Sequence, residues 1–146
     1  MPRHLVPPSL FSQAWADALR DAVNADLEYR KVGLQWQATI GFVLDDGAPV
    51  GLIGPVALEL VVDRGLCHTA RIISPDACTA PVIIRTGYET WREILIGALD
   101  PVAAVMRGQV RLTGNAAALM MHASALSALV RCAQSVSAEY PDQPAA

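Results

Sequence analysis

The sequence predicts one α+β domain, in which five strands form a mostly antiparallel sheet and the helices pack over one face of it. The length of 146 residues suits a single domain. Apolar side chains alternate along several short segments and repeat at helical spacing along others. Four of the predicted strands follow one another with short connections, which favours antiparallel pairing, and the fifth lies between helices.

The chain divides into three segments of different character. We expect residues 1–11 to form an extended arm, because Pro7 and Pro8 restrict the backbone there. Residues 12–138 are expected to form the domain, and residues 139–146 a loose tail.

The first predicted helix begins behind Ser12, whose hydroxyl suits an N-cap. Trp15, Leu19 and Val23 repeat at helical spacing behind it, with polar residues on the opposite side. We expect this amphipathic helix to continue until it ends before Gly33.

Alternation of apolar and polar residues predicts the strands. In the first strand, Trp36, Ile40 and Phe42 share one face, which is typical of a half-buried strand. The second and third strands are expected to pair as a hairpin. Glu59 lies among apolar neighbours in the second strand, and we expect it on the solvent face. The predicted strands span residues 35–44, 56–62, 66–73, 80–85 and 109–113.

Three helix starts are predicted in the C-terminal half. Thr86 and Glu89 match a capping box, with Thr86 as the N-cap. Asp100 followed by Pro101 favours a second helix start. Asn115 is expected to cap the last helix, directly after the fifth strand.

Charge and composition argue against several classes of function. Charged residues make up 17% of the chain, and the basic residues form no cluster, so we expect no nucleic-acid partner. The longest uncharged stretch, residues 112–130, is interrupted by polar side chains, so we expect no integral membrane segment. The start lacks the apolar region of a signal peptide, and Cys67, Cys78 and Cys132 show no close pairing. These features predict a cytoplasmic protein.

Motifs that carry chemistry are missing from the sequence. It has no phosphate-binding loop, no ligand spacing for a metal and no nucleophile elbow, so we expect no catalytic residue, no metal and no cofactor. An enzyme would need a cleft that holds a side chain with a perturbed pKa, such as Cys67 or His122.

Met106, Met120 and Met121 gather in the C-terminal third, and such side chains suit both varied apolar ligands and ordinary core packing.

Several segments together resemble the sterol carrier protein type 2 family. They are residues 63–65 (DRG), 67–71 (CHTAR), 86–91 (TGYETW), 94–97 (ILIG), 100–106 (DPVAAVM) and 108–115 (GQVRLTGN). The order of the elements matches as well, and the resemblance covers about residues 12 to 135. One departure is Asn115, where the family usually has an acidic residue. Asn still caps a helix, so the departure leaves the expected fold unchanged.

The resemblance implies a five-stranded sheet with helices over one face and an elongated apolar tunnel between the layers. In the family, this tunnel takes fatty acyl chains, sterols or isoprenoid lipids, and no catalytic group is needed. The apolar faces and the family layout predict ten residues that line the cavity. They are Trp15, Leu19, Phe42, Leu60, Trp91, Leu95, Met106, Leu112, Met120 and Met121.

The predicted function is therefore the binding and carrying of a lipid-like molecule without catalysis. An alternative keeps the same fold but uses it as an interaction module, which forms a homodimer or assists a partner enzyme. A continuous cavity of some hundreds of Å³ favours the carrier. A small or filled cavity beside a large exposed apolar patch favours the interaction module.

Overall fold

The computed structural model describes residues 7–140, and this part of the chain contains five strands and six α-helices. The helices are α1 (Gln13–Ala25), α2 (Leu27–Val32), α3 (Tyr88–Leu95), α4 (Pro101–Met106), α5 (Ala116–Met121) and α6 (Ala123–Ser135). The strands are β1 (Gln37–Leu44), β2 (Val56–Asp63), β3 (Leu66–Ile73), β4 (Val82–Thr86) and β5 (Arg111–Thr113). Residues 1–6 of the predicted arm and residues 141–146 of the predicted tail lie outside the described residues.

The strands form one mixed sheet in the order β3-β2-β1-β4-β5. The pairs β1–β2, β2–β3 and β4–β5 are antiparallel, and β1 and β4 are parallel. β2 and β3 form the predicted hairpin, and the chain then returns to place β4 on the other side of β1. The helices pack their buried side chains against this sheet, so the predicted α+β class and the mostly antiparallel pairing are confirmed.

The core lies between the sheet and the helices. Ile40 and Phe42 of β1 pair in register with Leu60 and Leu58 of β2, and all four side chains are buried. They belong to one apolar cluster with Leu126 and other buried side chains of the helices. Burying each such side chain stabilises the fold by about 1.5–3 kcal/mol.

Helix α1 covers the free edge of β3 with two side-chain amides. At one end of the helix, Gln13 accepts a hydrogen bond from the Ile72 N–H (2.9 Å) and donates one to the Ala70 carbonyl (3.0 Å). At the other end, Asn24 accepts from the Cys67 N–H (2.7 Å) and donates to the Cys67 carbonyl (3.0 Å). Four backbone groups at this edge of the sheet are thus paired within the chain, which makes the edge a poorer template for edge-to-edge association.

The first predicted helix is divided at Asp26 into α1 and α2. The Asp26 carboxylate accepts a hydrogen bond from the Tyr29 N–H (2.7 Å) and thereby caps α2. It also forms a two-point ion pair with Arg131 of α6, at 2.8 and 3.1 Å. Asp is a strong N-cap because its short side chain bonds to the backbone nearby, and this competes with a continuous helix.

The last predicted helix is divided as well, and its predicted cap is present. The Asn115 side chain accepts from the Ala118 N–H (3.0 Å) at the start of α5. The helix then breaks at His122, which ends α5 and precedes α6. The ring of His122 stacks on Trp36 with the centroids 5.4 Å apart.

The predicted capping box at Thr86 is wrong. Thr86 is the last residue of β4, and its hydroxyl donates to the Gln109 carbonyl at 3.3 Å. Gly87 occupies the N-cap position of α3, and the Asp46 carboxylate accepts from the Tyr88 N–H at 2.7 Å. A side chain that is distant in sequence therefore caps this helix instead of a local one.

The predicted solvent position of Glu59 is also wrong, because only 4% of the residue is exposed. Its carboxylate pairs with Arg71 of β3, whose Nη2 lies 2.8 Å from Oε1. Gly41 lies opposite Glu59 in register, and a Cβ on Gly41 would come within 2.7 Å of the Cys78 Sγ. The segment that contains Cys78 thus covers this second face of the sheet, and alternation within one strand cannot reveal such a cover.

We expect Asn24→Ala to lower the free energy of unfolding by about 1–3 kcal/mol, because it removes two hydrogen bonds at the β3 edge. Urea unfolding measures this change. Asp21→Ala is the control, since Asp21 lies on the same helix with an exposed side chain and is expected to cost less than about 1 kcal/mol. Equal losses in the two variants would show that the amide contacts add nothing to stability.

The ion pair between Asp26 and Arg131 predicts a dependence of stability on pH. The hydrogen bond from Arg131, helped by that from the Tyr29 N–H, lowers the pKa of Asp26 to about 2. A lowered pKa stabilises the fold above the unfolded value of about 3.9, and the contribution is lost as the pH falls towards 2.

We therefore expect Asp26→Asn, which retains an N-cap, to be less stable than the wild type at about pH 7. The difference should be no more than about 1 kcal/mol, because solvent screens this partly exposed pair. It should shrink between about pH 5 and pH 2 in urea unfolding measurements. A difference that stays constant over this range would contradict the assignment.

Candidate ligand-binding cavity

A small cavity of about 40 Å³ lies between the central strands and the helices. Its wall comes from β1 and β2 on one side and from α1, α3 and α6 on the other. Every lining residue has an apolar side chain, and eleven of the twelve are large. The residues are Phe11, Trp15, Leu19, Phe42, Leu58, Leu60, Trp91, Ile94, Leu95, Leu129, Val130 and Ala133. Such a cavity can hold only an apolar group without leaving polar atoms unpaired.

Four aromatic rings form much of this wall. The Phe11 centroid lies 5.2 Å from that of Trp15 and 6.0 Å from that of Trp91. Phe42 meets Trp91 edge-on, with the centroids 6.0 Å apart. The Trp91 Nε1 donates to the carbonyl of Val43 at 2.8 Å. This bond fixes the indole against β1 and satisfies the one polar atom that the ring brings into the core.

A second void of about 10 Å³ lies beside the first. The two voids share Phe42, Trp91, Ile94 and Val130 as lining residues. These side chains therefore separate the voids, and their movement is the simplest way to join them.

Six of the ten residues predicted to line a cavity lie together in the wall of the larger void. They are Trp15, Leu19, Phe42, Leu60, Trp91 and Leu95. Leu112 and Met120 are half-buried and pack against the core elsewhere. Met106 and Met121 are 73% and 81% exposed, because each ends a six-residue helix and points away from the sheet.

Sequence reasoning missed Phe11, which was assigned to the extended arm. The residue is only 2% exposed and contacts two tryptophans of the wall. A signal was present, because an apolar residue directly before an N-cap often packs back onto the first turn of its helix. The other five were missed for another reason, since spacing alone cannot tell a cavity wall from solid core. They are Leu58, Ile94, Leu129, Val130 and Ala133.

The groups that an enzyme would need do not meet in this cavity. Burial raises the pKa of Cys67 and of Cys132 to about 11, which keeps both as unreactive thiols. Within residues 7–140, no group of three His, Cys, Asp or Glu side chains is placed to hold a metal ion. Nor does this part of the chain contain a helix with the length and apolar character needed to cross a membrane.

Comparison with solved structures identifies the family. A crystal structure of sterol carrier protein 2 matches with a TM-score of 0.83 and 32% sequence identity, over 88% of this chain and 100% of the other. This chain belongs to the sterol carrier protein 2 family. A solution structure from Thermus thermophilus, described as possibly a sterol carrier protein, matches with a TM-score of 0.82 and 31% identity. That match covers 92% of this chain and 94% of the other.

More distant matches extend the sterol carrier fold to larger proteins. A double mutant of a sec-alkyl sulfatase matches with a TM-score of 0.53 and 19% identity, over 88% of this chain but 17% of the enzyme. At this identity the match shows a shared fold only. No protein-family model and no curated protein sequence matches the chain.

We expect Trp91→Phe to lower the free energy of unfolding by about 1–3 kcal/mol, because the Val43 carbonyl loses its partner in a buried site. Trp15→Phe is the matched control in the same wall, where the ring lies tilted against Phe11. Urea unfolding of both variants separates the contribution of the hydrogen bond to the free energy of unfolding from the effect of the smaller ring. An equal cost at the two positions would mean that the indole N–H contributes little.

Proposed function

We propose that this protein binds and carries a lipid-like molecule, with a fatty acyl, sterol or isoprenoid chain, between its sheet and its helices. The observation that carries the proposal is the wholly apolar wall of the central cavity. Membership of the sterol carrier protein 2 family supports the same conclusion. The residues proposed to touch the ligand are Phe11, Trp15, Phe42, Leu60 and Trp91.

Ligand binding requires the cavity to open. Its volume of about 40 Å³ is well below the roughly 300–1,000 Å³ of ordinary ligand sites. A long chain gains about 0.8 kcal/mol for each methylene that it buries. Part of this gain offsets the separation of packed side chains and the ordering of the chain. We expect Phe42, Ile94 and Val130 to move, since all three stand between the two voids. Trp91 also stands there, but its hydrogen bond to the Val43 carbonyl holds the indole on β1.

We propose no catalysis for this protein. The wall holds no titratable side chain, and the buried thiols of Cys67 and Cys132 lie outside it. We place the function in the cytoplasm, because all three cysteines are free and a reducing compartment keeps them so.

The alternative is an interaction module, in which the same fold dimerises or assists a partner enzyme. The small volume of the cavity favours this alternative. Large apolar side chains that are more than 70% exposed favour it as well, namely Leu27, Ile53, Met106 and Met121. An interaction module needs no space between its layers, whereas a carrier does.

Native mass spectrometry of the freshly purified protein tests the carrier function, together with displacement of a fluorescent fatty acid. We expect an adduct of a few hundred daltons that solvent extraction removes. We expect Ala133→Leu to weaken binding of the fluorescent probe by about ten-fold or more, because it fills the cavity from α6. Ala128→Leu makes the same change on the same helix, but faces the groove between α2 and α6, and should bind normally.

A clean apo mass, with no binding of the fluorescent fatty acid or of the matching alcohol at micromolar concentration, would exclude the carrier function. If size-exclusion chromatography then shows a stable dimer, the interaction module takes its place. Binding that survives unchanged in Ala133→Leu would place the ligand outside the central cavity.

A further inference from the structure

An open groove of about 280 Å³ lies at the edge of the space between sheet and helices. It exists because β4 begins at Val82, opposite Ile40, so that residues 37–39 of β1 extend past the start of β4. Helix α5 forms the opposite wall. The lining residues are Trp36, Gln37, Ala38, Thr39, Ile40, Pro81, Val82, Asn115, Ala118, Leu119 and His122.

The groove lies in line with the inner voids. Ile40 and Val82 pair in register and line the groove. Phe42 and Ile84 form the next pair on the same face of the sheet, and both line the second void. Two residues of a strand span about 6.6 Å, so a chain that enters at the groove reaches the second void within a few bond lengths.

The chemistry of the groove differs from that of the inner cavity. Its lining includes the polar side chains of Gln37, Thr39, Asn115 and His122, but no Asp, Glu, Lys or Arg. The groove between α2 and α6, by contrast, carries both Glu28 and Arg131. A group with a full charge would lose water at β1 and α5 without gaining an opposite charge, which is costly. A hydroxyl group would find hydrogen-bond partners there at little cost.

We infer that this groove is the mouth of the lipid site, and that it holds an uncharged hydroxyl end while the apolar chain points towards Phe42. The inference rests on the proposed function, because it needs a chain that enters between the layers. The orientation of the ligand follows from the difference between the residues that line the groove and those that line the inner cavity. The inner wall offers an oxygen atom no polar side chain apart from the indoles of Trp15 and Trp91, and the Trp91 N–H is already bonded to the Val43 carbonyl.

Helix α5 is the wall of the groove that we expect to move when a ligand enters. It spans six residues between Gly114 and the break at His122. Gly114 has φ of 108° and packs so closely on Pro81 that a Cβ would lie 2.1 Å from the Pro81 carbonyl oxygen. One end of the helix is thus held at β4, and the stacked ring of His122 on Trp36 holds the other. Separation of this stack would widen the groove.

Substitutions on α5 test the mouth without touching the core. Ala118 is exposed and lines the groove, whereas Ala117 is exposed on the same helix and does not line it. We expect Ala118→Trp to weaken binding of a pyrene-labelled long-chain alcohol by about ten-fold or more, and Ala117→Trp by less than about two-fold. Fluorescence titration measures both, and thermal melting verifies that both variants are folded.

Head-group preference is tested with the matching pyrene-labelled fatty acid at about pH 8, where the carboxylic acid is ionised. We expect the wild type to bind the acid about ten-fold more weakly than the alcohol. Ala118→Arg should reduce this difference in affinity between the alcohol and the acid, because it adds a cation at the groove. Ala117→Arg should leave the difference unchanged. These two arginine variants keep the test decisive if Ala118→Trp does not fold.

Three results overturn the inference. The first is that Ala118→Trp binds the alcohol as tightly as Ala117→Trp does, which places the mouth elsewhere. The second is that the wild type binds the acid as tightly as the alcohol, which excludes a preference for an uncharged end. The third is that the wild type binds neither probe, and this result, which needs no variant, rejects the proposed carrier function itself.

Discussion

The free edge of β3 is the constraint on which the arrangement of the helices depends. A strand at the edge of a sheet leaves polar backbone groups without partners, and water or another part of the chain must supply them. Here Gln13 and Asn24 supply them from the two ends of α1. A helix fixed at both ends has one orientation. Trp15 and Leu19 therefore face the sheet, where they form one wall of the cavity.

The opposite wall depends on α3 in a similar way. The Asp46 carboxylate fixes the start of α3, and the Trp91 indole bonds to the carbonyl of Val43. Both partners belong to β1 or to the residues directly after it. The two walls are thus attached to different strands through polar contacts, while the surfaces that they turn towards each other are apolar. Such walls can separate without breaking the hydrogen bonds that position them.

The periodicity of the sequence was sufficient to predict the sheet and the hairpin, because these depend on local alternation and on the order of elements. The family was predicted from the resemblance of several segments, not from periodicity. Periodicity could not predict contacts between residues that are distant in the sequence. Glu59 is buried by a segment that follows β3, and Asp46 replaced Thr86 as the cap of α3. Part of the site was predictable from both layers, because Phe42 and Leu60 alternate clearly in the strands and Trp15 and Trp91 lie on apolar helix faces. Met106 and Met121 carry the same apolar signal as a core residue, and only the ends of two short helices turn them outward.

The cap of α3 has a consequence for how the chain folds. Asp46 and Tyr88 are 42 positions apart, and Val43 and Trp91 are 48 apart. An eight-residue helix is too short to persist alone in water, so we expect α3 to form only after β1 and β4 have paired. Contacts at such separation close large loops, and chains that depend on them fold slowly. We therefore expect the wall that holds Trp91 to form late in folding, and a nascent chain that ends before α3 to expose the apolar face of its strands.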